Sequence, residues 1–153
     1  MQSGDEVPDF ELPDQYGRPR RLSVLLADGP VVLFFYPVAS SSGCTKESCR
    51  FRDLGEEFAQ AGAHRVGIST DSVEKQLKFS DANKLDYPLL SDSAGTVATI
   101  FGVKRGLLGK ALPVKRKTFV IGEDQRIIEV ISSEFSMDVH ADEALKVISK
   151  QHS

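Results

Sequence analysis

The sequence contains no tryptophan, two methionines and only two cysteines. Two thiols are too few for a disulfide framework, so the fold must rest on a packed apolar core. With 153 residues and 41% hydrophobic content, such a core needs no covalent staples. Long apolar runs are also missing. Nothing approaches the roughly 20 residues that cross a bilayer, which excludes a membrane-spanning helix. The start, MQSGDEVPDFEL, lacks a basic region followed by an apolar stretch. No secretory signal is therefore expected, and a reducing cytoplasm is the expected compartment. An excess of positive charge is absent too. A formal net charge of -3 argues against a general nucleic-acid binder. Repeats, low-complexity segments and linkers are lacking, so one domain over residues 1–153 is expected.

What the sequence does contain is concentrated. Both cysteines fall in YPVASSSGCTKESC, residues 36–49. In a reducing compartment such a pair points to catalysis, redox exchange or metal binding. VVLFFY, residues 31–36, is a continuous apolar run of strand length, which suits a central strand covered on both faces. Residues 44–61 are expected as one helix, and RVGIST, 65–70, as the next strand. Asp71 with Glu74 has the spacing of a capping box that opens a second helix. YPLLSD, 87–92, is a short strand, and Asp92 is placed to cap a third helix ending at Gly102. TFVIG and RIIEVIS form a hairpin around residues 123–125. A last helix, about 139–150, puts Ala141, Ala144, Leu145 and Ile148 on one face. Near the start, PDFELPDQYGRPRRLSV gives two short strands turning at Gly17. This alternation predicts an α/β fold of thioredoxin-like arrangement: a central mixed sheet flanked by helices, with an N-terminal β-hairpin.

Helical geometry separates the two thiols. With Cys44 at zero on a wheel of about 100° per residue, Phe51, Leu54 and Phe58 fall within roughly 80° of it. Cys49 falls about 140° away, beside Asp53 and Glu56. Five residues rise about 7.5 Å and the chord adds about 4.3 Å, so the two Cα atoms lie roughly 8.7 Å apart. A disulfide needs them within about 7 Å. Either the cysteines never pair, or the first helical turns unwind when they do. Cys44 also follows Ser-Ser-Ser-Gly and so belongs to the first turn. Unpaired N–H groups and the positive dipole end favour a thiolate there. Free thiols titrate near about 8.5, and helix N-termini can lower this to about 3.5–7.5. Glu47 opposes that effect, while VKRKTF, 114–119, offers cations. Two structural thiols would be an alternative. A zinc site is disfavoured, because His64, His140 and His152 show no close pairing.

Pro37-x-x-x-Ser41-x-x-Cys44, after a strand ending FFYP, resembles the signature of peroxiredoxins. GCTKESC, 43–49, resembles the peroxiredoxin Q branch, also called bacterioferritin comigratory protein. GDxxPDFELPDxxG, LLSD and Arg116-Lys117-Thr118-Phe119 extend the likeness over nearly the whole chain. The resemblance implies a thiol-dependent peroxidase that needs no metal, haem or flavin. Cys44 would be the peroxidatic cysteine and Cys49 the resolving one, joined in an intramolecular disulfide. Ser41 would hydrogen-bond thiolate and peroxide, Pro37 would shield the pocket, and Arg116 would stabilise negative charge. Hydroperoxides are the implied substrates, and thioredoxin or a similar thiol donor the implied reductant. A monomer is expected, with a weak dimer as the alternative. The family pattern carries Thr at 41 and Pro at 42, and both are Ser here. A looser pocket loop and a slower peroxide step are expected from that change. Residues 104–117 are basic, read as a solvated loop from which Arg116 alone points inward. GLLGKAL, 106–112, either lines the site or packs ordinarily. The other functions to weigh are a thiol–disulfide oxidoreductase and a non-catalytic redox-sensing module.

Overall fold

The computed structural model describes residues 1–104, 114–132 and 137–151. Arg105, Lys110 and GLLGKAL lie outside the described residues.

Two short strands, β1 (Glu11–Pro13) and β2 (Pro19–Arg21), pair antiparallel as the N-terminal hairpin. A short helix, α1 (Leu22–Leu26), leads to the central strand β3 (Val31–Phe35). Then follow α2 (Ser42–Asp53), α3 (Gly55–Gln60), β4 (His64–Ser69), α4 (Val73–Asn83), β5 (Leu89–Ser91) and α5 (Thr96–Ile100). The chain closes with β6 (Lys117–Ile121), β7 (Ile127–Ser132) and α6 (Met137–Gln151). The five-stranded sheet runs in the order β5-β4-β3-β6-β7. The strands β3, β4 and β5 are parallel, while β6 and β7 add antiparallel. This is the expected mixed sheet of thioredoxin-like arrangement.

The apolar run of β3 reads as it does because both faces are covered. Side chains alternate across a strand. Val31, Leu33 and Phe35 enter one core with Leu22, Leu26, Val97 and Phe101. Val32, Phe34 and Tyr36 enter the other with Cys44, Phe51, Phe58, Phe79 and Ile148. The second core carries the cysteine helix. Phe34 stacks on Phe51 at 4.1 Å between ring centroids and 7° between planes. Gly67 makes room for this arrangement. A Cβ there would lie 3.0 Å from Phe34 and 2.8 Å from Leu89.

Several local expectations change. The segment expected as one helix over 44–61 starts at Ser42 and breaks at Leu54, where Gly55 opens a separate short helix. Asp71 does not cap α4. Ser72 does, its hydroxyl accepting from the Lys75 N–H at 3.3 Å. Asp71 is occupied elsewhere: it accepts from the Ala39 N–H at 2.7 Å and the Ser69 hydroxyl at 2.8 Å. Asp92 does serve α5, accepting from the N–H groups of Val97 and Ala98. The hairpin of β6 and β7 turns through Gln125, whose φ is 66°.

Candidate active site

The N-terminus of α2 is built around Cys44. Ser41 is its N-cap, with extended φ and ψ of −70° and 154°. Its Oγ accepts from the Cys44 N–H at 3.3 Å and donates to the Val38 carbonyl at 3.1 Å. The hydroxyl has one proton, so donating to sulfur or peroxide requires rotation away from Val38. The Thr45 hydroxyl donates to the Ser41 carbonyl at 2.8 Å and tightens the same turn. Just before the cap, Ser40 sits in the left-handed region at φ 72°. A chain of bonds holds this loop from below. Tyr36 donates to Gln76, Gln76 to Ser69 at 3.0 Å, Ser69 to Asp71, and the Ala39 N–H to Asp71.

Cys44 is 0% exposed, on the core side with Phe51 and Phe58, as the wheel predicts. Cys49 is half-buried, and both thiols are free. The unbroken helix from Ser42 to Asp53 keeps them on different faces. Pro37 is buried at the end of β3, beside the pocket loop. Arg116 arrives just before β6. The Lys115 N–H donates to the Val103 carbonyl at 2.8 Å and fixes its approach. Arg116 is 6% exposed, whereas Lys104 and Lys115 are exposed and Lys117 is half-buried. Among the described cationic residues of this stretch, Arg116 alone is buried, as the sequence predicts.

The Arg116 guanidinium faces two side chains at once. Nη2 lies 3.3 Å from Cys44 Sγ, and Nη1 lies 2.9 Å from Glu47 Oε1. Burial alone would make Arg116 easier to deprotonate. The charges of Glu47 and Cys44 and their hydrogen bonds outweigh that, and its pKa rises. The guanidinium therefore remains a permanent cation beside the sulfur. It is a charge-assisted donor of the kind that anions bind best.

Glu47 is the main residue missed from sequence. It is 0% exposed, with Oε2 3.6 Å from His140 Nδ1. His140, also fully buried on α6, has Nδ1 2.8 Å from the Thr118 hydroxyl of β6. Signals for both existed. Glu47 lies about 60° from Cys44 on the wheel, inside the core-facing arc. His140 stands four residues before Ala144 on the apolar face of α6. Asp71 carried no such signal. Among the described residues, no group of three or more His, Cys, Asp or Glu could hold a metal. Among them, too, no helix is long and apolar enough to cross a membrane.

Residues 3–130 match the model of the AhpC/TSA family. The chain is a peroxiredoxin of that family. Its structure superimposes on peroxidoxin BcpB of Mycobacterium tuberculosis with a TM-score of 0.95 and 67% identity, covering 100% of this chain and 99% of that one. Peroxiredoxin Q of Sedum lineare, a chloroplast protein, is 42% identical over 145 residues, 95% of this chain and 76% of its own. The bacterioferritin comigratory protein of Xanthomonas campestris, studied for alkyl peroxide reduction, matches at TM-score 0.85 and 28% identity, covering 94% and 92% of the two chains. This peroxiredoxin is accordingly a peroxidase enzyme, and its likeness is to the Q branch.

Proposed function

We propose that this peroxiredoxin reduces hydrogen peroxide and organic hydroperoxides through Cys44, with Cys49 as resolving residue. The observation that carries the proposal is the Arg116 Nη2 contact, 3.3 Å from a fully buried Cys44 Sγ in the first turn of α2. The Cys44 thiolate attacks the terminal peroxide oxygen. The O–O bond breaks, the second oxygen leaves as alcohol or water, and Cys44 becomes a sulfenic acid. Arg116 stabilises charge on sulfur and then on the departing oxygen. Pro37 walls off water, and Ser41 turns its hydroxyl to the reacting oxygens. Cys49 then condenses with the sulfenic acid, releasing water and leaving a 44–49 disulfide. Thioredoxin or a similar dithiol returns both cysteines to thiols. One domain over residues 1–153 performs the cycle, as a monomer in a reducing cytoplasm. Alkyl hydroperoxides as substrates are supported by the Xanthomonas relative.

The test is stoichiometric. Reduced protein mixed with one equivalent of hydroperoxide should lose both thiols, and peptide mass spectrometry should find residues 44 and 49 crosslinked. Cys44→Ser should abolish both effects. Retention of both thiols, or crosslinking only between separate chains, would refute the proposal.

A further inference from the structure

We propose that Tyr87 is a positioning residue for the resolving step, acting through the backbone of α2; this rests on the cycle proposed above. Tyr87 precedes β5 and is 5% exposed. Its hydroxyl donates to the Ser48 carbonyl at 2.7 Å, immediately before Cys49. Burial pushes its pKa far above the ordinary phenol range, so the proton needed for donation stays in place. The ring is fixed from two sides. Phe34 meets it edge-on at 5.7 Å, and the Arg65 guanidinium lies 5.0 Å from its centroid.

Arg65 repeats the contact one residue-triplet later. Its Nη1 donates to the Phe51 carbonyl at 3.0 Å. On the α4 side, Arg52 donates to the Asn83 carbonyl at 2.6 Å, and the Cys49 thiol donates to Asn83 Oδ1 at 3.7 Å. The half of α2 that carries Cys49 is thus tied to β4, α4 and the approach to β5. The turn that carries Cys44 is held by Arg116 and by the Ser41 cap.

Resolution acts on the segment between these halves. The Cys49 sulfur attacks the Cys44 sulfenic sulfur, the S–O bond breaks, and the hydroxide leaves with the Cys49 proton as water. An intact helix holds the two Cα atoms roughly 8.7 Å apart, beyond disulfide reach, so backbone between them must unwind. Ser48 lies in that backbone. The Tyr87 bond resists its movement and slows resolution. A sulfenic acid that waits meets a second peroxide, which oxidises it to sulfinic acid and departs as alcohol or water. Tyr87 therefore sets the balance between disulfide formation and over-oxidation, without touching the reacting sulfur.

Tyr87→Phe removes the hydroxyl alone. Rapid mixing with peroxide, acid quenching and mass spectrometry would follow the sulfenic acid and the 44–49 disulfide separately. First oxidation should proceed at the wild-type rate. Disulfide formation should accelerate about fivefold, the factor carried by one net buried hydrogen bond. The sulfinic fraction at excess peroxide should fall in parallel. Arg65→Met, which releases the Phe51 carbonyl, should act in the same direction. Gln125→Ala, which loosens the distant β6–β7 turn, should leave disulfide formation unchanged. An unchanged or slower bridge in Tyr87→Phe overturns the role of Tyr87 while the cycle stands. Equal acceleration by Gln125→Ala also overturns it, since general loosening would then suffice. A wild-type protein that never bridges 44 to 49 overturns the cycle itself.

Discussion

Arg116→Met is the perturbation that separates chemistry from stability. It removes two charge-assisted bonds, one to Cys44 Sγ at 3.3 Å and one to Glu47 Oε1 at 2.9 Å. The first concerns reaction. A hydrogen bond to a charged group contributes about 1.5–3 kcal/mol, so peroxide oxidation of Cys44 should slow by about 10- to 150-fold. The second concerns folding. Glu47 is 0% exposed, and removing its guanidinium partner from a buried pair costs about 3–5 kcal/mol. Stopped-flow oxidation and denaturant unfolding read the two effects independently. The double variant Arg116→Met with Glu47→Gln should regain most of the stability and none of the rate. Recovery of wild-type oxidation in the double variant, or a single variant within twofold of wild type, would refute the role given to Arg116.

Other outcomes follow from single contacts. Cys49→Ser should retain the first oxidation, form no internal bridge and accumulate sulfinic acid, as intact-mass spectra would show. Ser42→Pro should raise the unfolding free energy by about 0.4–1 kcal/mol in denaturant titrations. Position 42 opens α2, where proline is favoured, and the extended Ser41 before it already has the conformation proline demands. Asp14 is buried in the turn of the N-terminal hairpin and accepts from Arg20 at 2.9 Å and from the Tyr16 and Arg18 N–H groups. Burial would raise its pKa, but these partners outweigh it and the folded value is lowered. Its stabilisation is therefore present above its unfolded value and lost as pH falls through the folded one. The stability gap between wild type and Asp14→Asn should be full at pH 7 and shrink below about pH 4.

The parts legible in sequence were those governed by periodicity. The β3 strand, the inward face of Cys44 and the apolar face of α6 all follow from counting residues. Arg116 was legible only through resemblance, because its partner lies 72 positions earlier and spacing cannot show that contact. Local signals failed where tertiary contacts competed. Asp71 has the composition of a helix cap, yet the Ala39 N–H and the Ser69 hydroxyl claim its carboxylate, and Ser72 takes the cap. The α1 helix has five residues, too few for a period to emerge. Glu47 entered the sequence reading only as a charge opposing the thiolate, although its wheel angle put it in the core-facing arc, where it is buried.

That burial has a consequence for the proposed cycle. One guanidinium faces a carboxylate and, in the reactive state, a thiolate. The carboxylate holds Arg116 in place whether or not the sulfur is charged, so the cation is positioned before peroxide arrives. Oxidation then converts the thiolate to a sulfenic acid and removes the stronger reason for Arg116 to hold Cys44. The Glu47 bond is unaffected by that step. The sulfur turn thus loses its charged tether as the Cys49 half stays tied at Ser48, Phe51 and Asn83. Loosening begins at the helix N-terminus, where Cys44 sits, and runs toward a fixed end. On this arrangement the sulfur that reacts first is also the one that travels, and the hydroxyl of Tyr87, held on the Ser48 carbonyl, opposes the spread of unwinding toward Cys49 and so delays the meeting of the two cysteines.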